Sequence, residues 1–289
     1  QAHNASPGGD PMHTTLPLAC RAAMNYLGEE IEVPIFDGRA DPALTLTATR
    51  LDDDDGWGQR GFALFHHRSA VTDWTDEAAI DQIHRREIAQ TAQALTGCTH
   101  ALPYPAILRN PAMAQAVADY APIHFVHSDF TEDYGRMIGD PERTYQTFLG
   151  PLLASEGLPE DCVRRASRRL VLQFWRNVGP VRADAPLAIC DAASVPERDL
   201  ERSWVESYGG GSFGFETFGV RGDHAADHRW YTFPGMSVDE TLLFRTYDSA
   251  LAERGDPFWT PHSAFLDPAV APGTARRASV EMRVLCLWG

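Results

Sequence analysis

The sequence predicts a mainly β fold with flanking helices, an antiparallel barrel or sandwich. Three observations carry this expectation. Short strand-like runs, each bounded by turn residues, fill the chain from Arg169 to Trp288. The clearest helical pattern lies before them, between Asp76 and Gly97. No internal repeat or low-complexity linker interrupts the 289 residues, which suffice to bury a substantial core. The expected division is a tail and lid segment over 1–44 and one barrel domain over 45–289.

Taken in order, the opening "QAHNASPGGDPMHTT" is polar, lacks an initiating Met and reads as a frayed tail. "TLTATRL" alternates like a strand, and "DDDD" at Asp52 to Asp55 reads as a solvated acidic turn. "GFALFHHRSAV" is a strand candidate. "DEAAIDQIHRREIAQTAQALTG" has apolar residues at helical spacing, acids early and Gly97 at its end, so it predicts an amphipathic helix. "PAMAQAVADYAP" suits a short helix or loop. "DPERTYQTFLGPLLASEG" starts a helix on Asp-Pro, and "PEDCVRRASRRLVLQFWRNVG" begins helical and turns to strand near Val171. The strand runs that follow are "RLVLQFWRNV", "PLAICDA", "SFGFETFGV", "HRWYTFP", "ETLLFRTYDS", "HSAFLDP" and "RASVEMRVLCLW".

Composition excludes several classes of partner. Apolar residues make up 44% and charged residues 22%, ordinary values for a globular chain. The net charge of −15 argues against nucleic acid and anionic membranes, which both need a basic face. The five cysteines include no C-x-x-C pair, so a disulfide framework or zinc ribbon is not expected, and a reducing cytoplasm fits. No apolar run approaches the length of a membrane span. A small-molecule substrate is the expected partner, and oligomeric state is unread.

The chemistry gathers on three separated stretches. In "FVHSDF", His127 and Asp129 stand two apart within an apolar run, so on a strand they share a face. His262 follows an apolar strand and a polar loop. Arg277 opens the last strand fifteen residues later, with Arg276 and Arg283 near it. Two imidazoles and one carboxylate suit the facial triad of a non-haem Fe(II) oxygenase, with open positions for a bidentate oxo acid and O2. An arginine beside such a centre would clamp the far carboxylate of the acid. H-x-D alone is weak, and as an isolated motif it describes a solvated strand edge better. The order of strand, long interval, loop histidine and strand arginine is what raises it.

That order is the one found in double-stranded β-helix oxygenases. "HRWYTFPGMSVDETLLFRTYDS", "FWTPHSAFLDP" and "RRASVEMRVL" resemble a family of fungal and bacterial oxidoreductases. It includes gibberellin-desaturase-like enzymes, AsaB-type hydroxylase/desaturases and the CmcJ component of cephamycin methoxylation. "GFALFHHRSAVTDW", "VHSD" and "FWRNVGPV" are similar to the same family, so the resemblance runs from about Thr45 to the end. It implies a double-stranded β-helix core and a 2-oxoglutarate-dependent Fe(II) oxygenase, a hydroxylase or desaturase of secondary metabolism that consumes O2. It also implies His127, Asp129 and His262 as ligands and Arg277 as the arginine that best fits the pattern, Arg283 and Arg276 staying open. The alternative it raises is a non-catalytic accessory protein that presents substrate within a biosynthetic complex. A full ligand set with an arginine speaks against that.

Other polar residues are weighed beside these. His228 is the rival third ligand, set back because Arg229 and Trp230 flank it. Trp175, Arg176, His228, Trp230 and Tyr247 are candidates to line the substrate pocket or support the ligands. His124 is off the parity of His127, and His66 and His67 read as strand histidines. "SYGGGSFGF" has no following helix or P-loop lysine, so it reads as a hairpin or flap. No G-x-S-x-G elbow or H-E-x-x-H run supports a hydrolase.

Overall fold

The computed structural model describes residues 16–54, 56–206 and 213–289. Among them, fourteen strands build two sheets that face each other. The larger sheet runs β1 (Leu18–Tyr26), β2 (Glu29–Asp37), β11 (Trp230–Thr232), β8 (Leu187–Cys190), β13 (His262–Ala264), β6 (His127–Ser128), β10 (Phe215–Val220), β9 (Leu200–Val205). The smaller runs β3 (Phe62–His66), β12 (Glu240–Asp248), β7 (Arg168–Asn177), β14 (Ser279–Trp288), β4 (His100–Pro103), with β5 (Ile107–Arg109) also on β14. Pairing is antiparallel except between β11 and β2. Neighbours distant in sequence lie side by side, as the expected double-stranded β-helix, or jelly roll, requires.

Alternation on the smaller sheet decides what faces the interior. Leu170, Leu172 and Phe174 of β7 and Val280, Met282, Val284 and Cys286 of β14 pack with Ile88, Ala92 and Leu95 of the helix Arg85–Thr96. Period-2 geometry then turns the intervening residues of both strands toward the larger sheet. Those are Gln173, Trp175 and Asn177 on β7 and Ser279, Glu281 and Arg283 on β14, which pair across the ladder.

The predicted helix over "DEAAIDQIHRREIAQTAQALTG" forms and ends at Gly97 in the left-handed conformation, with a π turn at Ile80–His84. Helices Pro111–Ala116, Gln146–Ser155 and Cys162–Arg165 occupy the other helical stretches. β7 starts at Arg168, slightly before the expected switch. Each of the seven late strand runs contains a strand.

The structure departs from expectation in three places. "TLTATRL" makes one isolated bridge, Thr45 with Leu64, and no strand. Its Asp-rich flanks cap short turns instead, the Asp41 side chain accepting from the Ala43 N–H. The acidic run is not wholly solvated: Asp54 accepts from the Gly56 and Trp57 N–H groups and pairs with buried Arg60 at 2.8 Å. Residues before Thr45, read as tail and lid, contribute the β1–β2 hairpin at the edge of the larger sheet. The glycine-rich flap falls at residues 207–212, outside the described residues, between paired β9 and β10.

Candidate metal centre

His127 and His262 are direct cross-strand partners on β6 and β13, their ring centroids 4.4 Å apart. Each imidazole is turned by a backbone carbonyl two residues earlier in the chain. Nδ1 of His127 lies 2.6 Å from the Phe125 carbonyl, and Nδ1 of His262 lies 3.0 Å from that of Thr260. With Nδ1 donating, each Nε2 presents a lone pair. These Nε2 atoms stand 3.7 Å and 3.8 Å from the same oxygen of Asp129, Oδ1. Asp129 follows β6 at a bend, and Arg283 of β14 donates to its other oxygen, Oδ2, from Nε at 3.1 Å and from Nη2 at 3.0 Å.

Among the described residues, these three side chains form a buried group whose ligand atoms all lie within 4.8 Å of one another. Burial, with His262 beside it, brings the His127 imidazole down to about 4, so it is neutral at pH 7. Burial alone would raise the Asp129 carboxyl. Arg283, His262 and His127 outweigh that and hold it down at about 2, so it is ionised. His127 and Asp129 are therefore a neutral imidazole and a carboxylate, the states that bind a divalent first-row metal such as Fe(II).

The smaller sheet supplies the opposite wall. Trp175, Phe244, Arg277, Glu281 and Arg283 line the cavity that holds the triad, together with Arg109. Arg109 pairs with Glu281 at 2.7 Å, and Arg283 pairs with Asp129. Arg277 is fully buried and forms no ion pair among the described residues. Its Nη1 donates to the Ala185 carbonyl at 3.1 Å, and its guanidinium lies 5.6 Å from the Trp175 ring centroid. Burial lowers its pKa to about 10, which still leaves it charged at pH 7. Among the described residues, the buried Arg277 Nε, Trp175 Nε1 and Ser279 Oγ have no hydrogen-bond partner. Arg277 and Trp175 line the cavity beside the triad, so their unmet donors suit a bound anion that accepts from them. The cavity thus fits both a divalent ion and an oxo acid.

The remaining candidates lie elsewhere. Arg276 is exposed. Arg176 points to the helix-packed face of β7, in step with Leu170, Leu172 and Phe174, and donates to the His67 and Val238 carbonyls. His228 is held between Tyr26 (3.1 Å) and Asp199 (3.0 Å). Trp230 donates to the same Tyr26 hydroxyl at 2.9 Å. Tyr231, next in the chain, faces the interior, so alternation turns Trp230 away from His262. Tyr247 faces inward after an irregularity in β12, but packs on Tyr134 and Phe258. It is three positions beyond Phe244, roughly 10 Å along the strand. Sequence reasoning missed Arg109 and Glu281, which also line the cavity. Glu281 shares parity with Arg277, a signal that was available. Arg109 comes from a short strand with no distinguishing pattern.

A family model described as the oxidoreductase/YMDC permease-like domain matches residues 22–287. Among curated proteins, the chain is 27% identical over 244 residues to the alpha-ketoglutarate-dependent dioxygenase phiK of a fungal species, covering 79% of this chain and 78% of that one. It is 29% identical over 252 residues to the hydroxylase/desaturase efuI of Hormonema carpetanum, with 80% and 78% covered. The hydroxylase/desaturase CTB9 of Cercospora beticola is 28% identical over 242 residues, with 79% and 70% covered. Among solved structures, the iron and alpha-ketoglutarate-dependent endoperoxidase NvfI superposes with a TM-score of 0.67 at 19% identity, covering 93% of this chain and 97% of that one. These relatives bear out the resemblance to hydroxylase/desaturases, and the superposition bears out the jelly roll.

Proposed function

The chain belongs to the oxidoreductase/YMDC permease-like domain family, and on that premise we propose that it is an Fe(II)- and 2-oxoglutarate-dependent oxygenase, a hydroxylase or desaturase of small-molecule natural products. The observation that carries the proposal is the convergence of His127, Asp129 and His262 beside a buried Arg277 that forms no ion pair among the described residues. His127, Asp129 and His262 would hold the iron. With iron, oxo acid and O2 bound, the centre supplies the oxidation that breaks a substrate C–H bond.

The residues of the chain do the positioning. The Phe125 and Thr260 carbonyls fix both imidazoles with Nε2 inward. Arg283 occupies Oδ2 of Asp129 and leaves Oδ1 to the metal. Arg277 offers its charge to the distal carboxylate of 2-oxoglutarate, with Trp175 as a further donor. Three guanidinium groups and two carboxylates line the cavity, so one positive charge is left over for a dianionic acid beside a divalent ion. Burial of all these groups excludes water and strengthens each contact.

The test is anaerobic addition of Fe(II) and 2-oxoglutarate, which should give a weak visible charge-transfer band, followed by succinate release on admitting O2. His127→Ala should lose both. A wild-type chain that binds no iron and gives no band is an accessory protein, and the proposal is then wrong.

A further inference from the structure

Beside the triad lies a second space, on the side away from Arg277. A cavity of about 160 Å³ reaches His127 and Asp129 and is bounded by Phe125, Phe215 and Arg283. It adjoins a cavity of about 250 Å³ that shares Phe215 and Arg283 and continues along Phe130, Tyr145, Phe148 and Phe213. The rings of this second cavity brace one another. Tyr104 meets Phe148 edge-on at 5.1 Å, Tyr145 meets Phe213 edge-on at 5.0 Å, and Phe148 and Phe213 lie 5.1 Å apart. Such edge-to-face packing leaves a rigid, apolar wall.

Charge on this wall is already matched. Arg283 is the charged side chain of the larger cavity, and its guanidinium is paired with Asp129. The lining hydroxyls of Tyr104 and Tyr145 are tied into a buried cluster with Tyr134. Burial raises all three tyrosines, Tyr104 to about 12, so they stay neutral. A charged ligand entering here would shed its water and gain no counter-charge. A flat apolar ligand would gain contact with several rings.

We propose that the substrate is a neutral, flat, largely apolar polycyclic molecule, seated against the wall of Phe148, Phe213 and Phe215 with one edge at His127 and Asp129. An acyl-carrier thioester, a phosphorylated compound or a free amino acid is not the substrate class. The proposal rests on the oxygenase reading for what happens at that edge, but the selectivity of the cavity does not.

The test uses the full chain and two fluorescent probes that differ in charge, 1-pyrenemethanol and 1-pyrenecarboxylate, followed by anisotropy. The neutral probe should bind about tenfold or more tightly than the anion. Phe148→Ala should weaken the neutral probe by about tenfold, and the milder Phe215→Leu should weaken it less, with thermal melting showing that both fold. Mn(II), a paramagnetic ion, should quench the bound probe in the wild type and not in His127→Ala. Equal or tighter binding of the carboxylate overturns the proposal, as does neutral-probe affinity untouched by both substitutions. The anaerobic Fe(II)/2-oxoglutarate band, recorded on the same sample without probe, reports the oxygenase reading separately, because the probes need neither iron nor O2.

Discussion

Asp129 divides its two oxygens between two tasks, and Arg283 enforces the division. Oδ2 takes two guanidinium donors at 3.1 and 3.0 Å, so Oδ1 is the oxygen left facing both histidines. Arg283→Ala should lift the Asp129 carboxyl from its low value and free it to rotate. Iron affinity is expected to fall by about 10- to 100-fold, the usual cost of losing a group that orients a ligand, as measured by anaerobic titration. Arg277 sits in the reverse situation, a buried charge that forms no ion pair among the described residues. Arg277→Leu should weaken 2-oxoglutarate by about 10- to 100-fold, from the loss of charged hydrogen bonds worth about 1.5–3 kcal/mol. The same change should leave the melting temperature equal or higher, because it removes a desolvated charge. The two arginines were inseparable by spacing alone. Arg277 stands two residues before the last strand and Arg283 within it, both against the same cavity, and only the position of Asp129 sets them apart.

At the scale of elements, alternation in β7 and β14 does most of the sorting. It sends Trp175 to the cavity and Arg176 to the helix side, a separation of one residue that decides function. Seven late strand runs were legible because their turns are marked by Gly, Pro and Asp. The β1–β2 hairpin was not, although Ile31, Val33 and Ile35 of "EEIEVPIFD" alternate with Glu32 and Pro34: its place is set by pairing of β2 with β11, far along the chain. Short β4, β5 and β9 also escaped notice, their pairing being set by β14 and β10. The long helix depends on its stop signal. Gly97 has φ +66°, and a Cβ there would lie 2.1 Å from Nη2 of Arg50, which donates to the Thr96 carbonyl at 3.0 Å. Gly97→Ala should lower stability by about 1 kcal/mol or more, seen as a lower urea midpoint with an unchanged m value.

For the molecule as a whole, acid should be the weak direction. His67 and His84 flank Arg176, with His67 Nδ1 2.6 Å from the guanidinium. Burial and then Arg176 bring His67 down to about 4 and His84 to about 3. Both values lie below the roughly 6.5 of an imidazole in the unfolded chain. The unfolded chain therefore takes up protons first as pH falls, and the native state loses stability through this window. Stability is expected to be full above about pH 6.5 and to decline from there toward pH 4. Urea midpoints at several pH values check this, and Arg176→Met should flatten part of the decline. A pH-independent midpoint across that window would contradict the assignment of neutral, buried imidazoles.

The order of residues alone carried the β-rich class, the long helix and its stop, and the three side chains His127, Asp129 and His262 that the structure gathers into one candidate metal centre. It did so because period, turn chemistry and ligand type are local properties of the chain. Which arginine pairs with Asp129 and which forms no ion pair among the described residues was decided in three dimensions, as was the withdrawal of Arg176, His228 and Trp230 from the cavity. So was the aromatic wall beside the triad. Each of these depends on register between strands far apart in the chain, and no local pattern encodes that register.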